Sequence, residues 1–252
     1  MARFPAFRLD GMRTLVTGAS RGIGRAAAEA MAAVGASVVL AARASDDLDD
    51  AVSAIRASGG TADALPLDVT DAAAVREAIA AAGPFDAVFN NAGANRVQPF
   101  LEVDEATYDA LYAVNVRGAF FVAQAAARGM VAAGRRGVIV NTSSQMGHVG
   151  GPNRTVYCGA KHAVEGMTKA MAVELAPHGI RVVTVCPTFV ETALTAGAFG
   201  DPAVRAGVIG RIPMARPALA EEVAQTVVFL RSPAAGMITG SAVLVDGGWT
   251  AQ

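Results

Sequence analysis

Tyr157 and Lys161 stand four apart in a segment of helical period, so both side chains fall on one face and can meet a common ligand. A phenol with a pKa of about 10 carries protons poorly near neutral pH, and an adjacent ammonium favours its phenolate, moving it toward the working range. Taken alone, Y-x-x-x-K also describes a core tyrosine beside a surface lysine on an ordinary amphipathic helix. Ser144 lies thirteen residues upstream, after an apolar run that reads as a strand, with Ser143 as its adjacent competitor. At the C-terminal end of a parallel strand a hydroxyl opens into the ligand crevice.

A second constellation is Thr17-Gly18-Ala19-Ser20-Arg21-Gly22-Ile23-Gly24, set between an apolar run and an Ala-rich helical segment. Glycines let the backbone turn sharply and approach a pyrophosphate, whose charge then meets the free N–H groups of a helix N-terminus. A tight strand-to-helix connection needs glycines too, so the position at the first βα junction carries the weight.

The elements that must hold these residues are short apolar runs alternating with longer helical segments, the signature of βαβ units. Seven strands are expected, at Thr14-Val16, Ser37-Ala41, Ala62-Leu67, Ala87-Phe89, Val138-Asn141, Arg181-Cys186 and Ala242-Val245. Ser45 before Asp46-Asp47, together with Thr70-Asp71 and Asp104-Glu105, reads as helix caps. The result is an α/β fold: a doubly wound, seven-stranded parallel sheet flanked by helices. With 252 residues, 53% of them hydrophobic, the chain has room for one domain over 1-252 and little for a second. The segment from Thr192 to Ala218 lacks clear periodicity and reads as a substrate lid around 192-218 or as a plain surface connection.

A net charge of -1 with scattered basic residues gives no footprint for nucleic acid. The N-terminal MARFPAFRLDGM has no apolar h-region, and no stretch is long enough to span a membrane, which fits a cytoplasmic protein. Cys158 and Cys186 lack a disulfide framework or metal-ligand spacing and read as free, buried thiols, so no metal is expected.

The order of these motifs resembles the classical short-chain dehydrogenase/reductase family over almost the whole chain. The glycine spacing is T-G-x-x-x-G-x-G, followed by Asp68-Val69, Asn90-Asn91-Ala92-Gly93, Asn115, Ser144, Tyr157-x-x-x-Lys161, Pro187 and Asp246-Gly247-Gly248. The resemblance implies a Rossmann domain and an NAD(P)-dependent enzyme in which hydride passes between a nicotinamide and a carbonyl carbon. Ser144 would hold the substrate oxygen and Tyr157 would give it a proton. Lys161 would also hold the nicotinamide ribose, and Asn115 would steady a water-linked proton path or simply distort its helix. The spacing to Tyr157 selects Ser144 over Ser143. Gly18, Ser20, Arg21, Gly22, Ile23 and Gly24 would bind the cofactor phosphates, Asp68 and Val69 would flank adenine, and Asn91, Ala92 and Gly93 would line the ribose. Where the family usually shows Pro-Gly, this chain has Pro187-Thr188, with Val190 and Thr192 expected near the carboxamide and phosphates.

An acid that would hold the ribose hydroxyls of NAD is absent at Ala42, and Arg43 follows it, so NADP (NADPH) is preferred over NAD. Asp46 or Asp47 reaching the ribose is the competing reading. The substrate is expected at Gln145, His148, Asn153, Arg154 and Phe189, with Asn95, Arg96 and the segment near Leu194 nearby. This polar set suits a sugar, polyol or sugar acid, although loops are polar anyway and His148 can simply be solvated. The alternatives are a 3-oxoacyl carrier-protein reductase, with Arg135-Arg136 offered to an acidic carrier, and a non-catalytic nicotinamide-sensing protein. The resemblance also implies a homotetramer through the Tyr157 helix and the Val243-Trp249 region.

Overall fold

A computed structural model describes residues 7–192 and 202–252. Seven strands form one parallel sheet: β1 (Arg13–Thr17), β2 (Ser37–Ala42), β3 (Thr61–Pro66), β4 (Ala87–Asn90), β5 (Gly137–Thr142), β6 (Ile180–Pro187) and, last in the chain, β9 (Ala242–Val245). Their order is β3-β2-β1-β4-β5-β6-β9, so the winding reverses between β1 and β4, where Leu15 pairs with Val88. All seven expected strands are present, with no end displaced by more than one residue.

Helices cover both faces, which is why the inner strands are apolar almost without interruption. Alternating side chains feed two cores. Val16, Val38 and Leu40 pack with α1 (Gly22–Ala33), α2 (Asp46–Ala57) and α8 (Ala220–Arg231). Leu15, Val39 and Ala41 pack with α3 (Ala72–Ala82), α5 (Ala119–Ala132) and α6 (Thr155–Leu175). On that second face α4 (Glu105–Tyr112) runs into a π-helical turn, Ala113–Gly118, before α5 begins. No helix among the described residues is long and apolar enough to cross a membrane.

Caps behave differently from one helix to the next. Asp71 accepts hydrogen bonds from the N–H groups of Ala73 and Ala74 at the start of α3, and Asp104 from that of Thr107 in α4. Ser45 stands at the N-cap of α2, yet its hydroxyl makes no capping bond. The region expected as a lid contains more order than its sequence suggests: β7 (Val190–Glu191) pairs in parallel with β8 (Ala218–Leu219), and α7 (Pro202–Ile209) lies between them. Two-residue strands are too short to leave a periodic pattern. The rest of that expectation, residues 193–201 with Leu194, lies outside the described residues.

Candidate active site

The motif residues gather where the strands end. At the end of β1, Gly18 has φ +63°, and a Cβ there would come within 2.9 Å of Ala92 Cα. A Cβ on Gly24 would collide with the Gly18 carbonyl oxygen. The Thr17 hydroxyl accepts from the N–H groups of Asn91 and Ala92, each at 3.0 Å, and Asn91 Nδ2 donates to the carbonyls of Thr17 at 3.2 Å and Gly18 at 3.3 Å. The turns after β1 and β4 are thereby locked together across the reversal point.

Helix α1 starts on Arg21 with no side-chain cap, unlike α3 and α4. Its first-turn N–H groups therefore suit an anion, and the glycine turn fits a dinucleotide phosphate. A Cβ on Gly22 would lie 3.5 Å from Thr192 Cγ2, which places Thr192 over this turn, while Val190 is buried in β7. Ser20 is half-buried, Arg21 is exposed, and Ile23 packs against the first core.

Arg43 is exposed just past β2, and its charge reaches Asp68 past β3. The Thr70 backbone N–H, then its hydroxyl, then Arg43 hold the Asp68 carboxyl below the usual range. Val69 beside it is buried, and Asp46 and Asp47 are exposed on the first turn of α2.

On the other side of the crevice, Lys161 is 4% exposed and donates from Nζ to the Thr142 carbonyl at 2.9 Å, while the Thr142 hydroxyl lies 3.3 Å from Asn91 Oδ1. Lys161 Nζ is 5.5 Å from the centre of the Tyr157 ring. Burial lowers the Lys161 pKa to about 8, opposed by the neighbouring Cys186 and Glu165. Burial raises Tyr157 to about 12, and a hydrogen bond with Ser144 works the other way. Ser144, two residues past β5, has its hydroxyl 2.8 Å from Gln145 Oε1 and 3.4 Å from the Pro187 carbonyl, and it accepts from the Met146 N–H at 3.1 Å. Ser143 instead turns to the Lys161 carbonyl at 3.4 Å.

Asn115 sits in the π-helical turn, a distortion frequent at functional sites. Its Nδ2 donates to the carbonyls of Ala94 at 2.8 Å and Leu111 at 2.9 Å. A Cβ on Gly93 would lie 2.8 Å from Asn115 Oδ1 and 3.7 Å from Lys161 Nζ, so these three converge. Thr17 and Thr142 carry much of this framework. The sequence marks Thr17 only as the start of the glycine motif and Thr142 not at all, because their roles lie in single oxygens that only the fold brings into place.

The expected substrate residues divide. Gln145 is buried against Ser144. Asn153 is exposed at φ +58°, and its carbonyl holds the Gln98 N–H at 2.9 Å. Arg154 lies over the Phe189 ring at 5.4 Å, and Phe189 leans on Trp249 with ring centres 5.8 Å apart. Asn95 and Arg96 are exposed on the loop after β4. His148 is partly exposed, with Nε2 3.5 Å from Glu165 Oε1. There Glu165, His148 and Cys186 bring three potential ligand atoms within 4.8 Å, although their sequence spacing gives no sign of it. Thr184 and Cys186 donate to the two Glu165 oxygens at 3.0 and 3.2 Å and satisfy that carboxylate.

Residues 18–250 match a family model described as Enoyl-(Acyl carrier protein) reductase. The chain is 45% identical over 244 residues to an L-xylulose reductase of Bos taurus, covering 97% of this chain and 98% of that one. It is 39% identical to a gluconate 5-dehydrogenase of Gluconobacter oxydans (strain 621H), over 97% and 96% of the two chains. The crystal structure of a gluconate 5-dehydrogenase from Burkholderia cenocepacia J2315 in complex with NADP and tartrate superposes with a TM-score of 0.93 at 35% identity, covering 98% of each chain.

Proposed function

The chain belongs to the short-chain dehydrogenase/reductase family of oxidoreductases, and on that premise we propose that it interconverts a ketone and a secondary alcohol on a sugar, polyol or sugar-acid substrate, using NADP(H). The observation that carries this reading is the meeting of Ser144, Tyr157 and Lys161 beside the glycine turn, with Thr142 and Asn91 linking the two sides.

A bound nicotinamide supplies the hydride for reduction or takes it up in oxidation. Ser144 holds the substrate oxygen, and Tyr157, which burial keeps protonated at neutral pH, delivers the proton to it. Lys161, mostly protonated below about 8, stabilises the phenolate left behind. Asn115 positions the loop at Ala94 and fixes the helix distortion next to Lys161. The Arg43 guanidinium, with no acid at Ala42, suits a 2′-phosphate, in keeping with the NADP of the Burkholderia relative.

We read residues 1-252 as one domain in which the segment around 192-218, bracketed by β7 and β8, closes over the substrate. A homotetramer through α6 and the Val243-Trp249 region is supported by exposed Val173 and Leu244, and a cytoplasmic setting by the free thiols Cys158 and Cys186. A carrier-protein substrate draws no support from Arg135. That residue pairs with Asp86 at 2.9 Å and precedes β5, at the opposite end of the sheet from the site.

The reading is tested by following nicotinamide absorbance with NADPH and NADH across ketoses, keto acids, polyols and an acyl-thioester ketone. NADPH-linked turnover of the sugar-derived ketones is expected. Turnover of the thioester alone would move the chain to the carrier-protein branch, and cofactor binding without any turnover would favour a sensing protein.

A further inference from the structure

We infer that Arg154 reads a carboxylate on the substrate, so that the chain acts on keto acids and hydroxy acids of the sugar series in preference to neutral sugars. This rests on the oxidoreductase reading of the site. Arg154 stands three residues before Tyr157, at the N-cap of α6, and its charge is felt at the Tyr157 hydroxyl.

The guanidinium is half-buried and lacks a carboxylate partner among the described residues. One nitrogen, Nη1, reaches the Pro152 carbonyl at 3.3 Å, whereas Nε is buried with no hydrogen-bond partner. Desolvation disfavours such a cation, and its pKa is lowered accordingly. Arg216 shows the contrast. More exposed, it is gripped by both oxygens of Glu222, at 2.6 and 2.8 Å.

Placement makes the unused donor functional. Arg154 lies over the Phe189 ring, which itself leans on Trp249 at 5.8 Å between ring centres, so an aromatic pair lines the cation. Phe189 follows Pro187 by two residues, and the Pro187 carbonyl is 3.4 Å from the Ser144 hydroxyl. The contacts through Phe189 and Pro187 tie Arg154 to the loop beside Ser144, and its guanidinium charge there suits a carboxylate on a substrate whose reacting oxygen Ser144 and Tyr157 would hold. The other loop cation is less suited. Arg96 is exposed, bonds the Thr107 hydroxyl at 3.1 Å, and has its charge answered by Asp104.

The test is kcat/KM with NADPH for a panel of keto-aldonates, each paired with its neutral counterpart. One such pair is 5-ketogluconate with L-sorbose, which carries a hydroxymethyl group in place of the carboxylate. The chain is expected to prefer the acid of each pair by at least about tenfold. Arg154→Gln should lower kcat/KM for the acids by about 100-fold, mainly through KM, with a far smaller fall on the neutral ketoses and unchanged NADPH affinity; Arg154→Lys should recover part of the loss. Equal losses on both members of each pair, or a wild-type preference for the neutral ketoses, would overturn the proposal while leaving the oxidoreductase reading intact. No turnover of any ketone with NADPH bound would overturn both.

Discussion

The two walls of the crevice are built from different materials. The wall formed by β1, β2 and α1 presents backbone: glycine turns, uncapped helix N–H groups, and arginines that lie out in solvent. The wall formed by β5, α6 and β6 presents side chains, and it buries Ser144, Gln145, Lys161 and Glu165 below about a tenth exposure. The first wall can be spoiled by adding bulk. The second can be spoiled by changing chemistry, because each buried polar group there depends on a specific partner.

Substitutions sharpen this contrast in order of expected size. Gly24→Ala puts a methyl group into the Gly18 carbonyl, where backbone must move, so NADPH affinity should fall by about 100-fold in a fluorescence titration. A variant that kept its affinity would show that the turn is less rigid than its packing indicates. Arg43→Ala leaves the turn intact and removes one exposed charge. Its loss should be about 30-fold for NADPH and slight for NADH, and equal losses would show that Arg43 does not read the 2′-phosphate.

The side-chain wall should respond to pH. Lys161 loses its proton as pH rises through about 8, so kcat/KM for ketone reduction should be level below that point and fall about tenfold per unit above it. Oxidation needs the phenolate and should rise with pH instead. Lys161→Arg keeps its charge and should carry the fall in reduction upward; an unchanged profile would take Lys161 out of the titration.

The backbone wall was the more legible in the sequence, because glycine spacing and strand ends are local properties. Gly18 to Gly24 could be placed from turn chemistry, whereas Asn91 to Gly93 came only with the family resemblance; on the other wall, helical period alone paired Tyr157 with Lys161. The buried network could not. Nothing near Thr142 shows that its carbonyl will hold Lys161, and nothing in the spacing of His148, Glu165 and Cys186 shows that they will meet. Arg231 is the sharpest case. The packing of α8 on α1 buries this basic residue of the last helical turn against Met31 and Thr14 and lowers its pKa to about 9. Such placements depend on the crossing of distant elements, which single-residue patterns do not encode.

Proton transfer at Tyr157 should be separable from the binding of the nicotinamide cofactor across the crevice. Measuring NADPH affinity and ketone turnover side by side in Tyr157→Phe tests it directly, since the ring stays and the hydroxyl is lost. Turnover should fall by at least about 1000-fold with affinity within a few-fold of wild type. Retained turnover, or a loss of affinity large enough to account for the lost rate, would contradict the account.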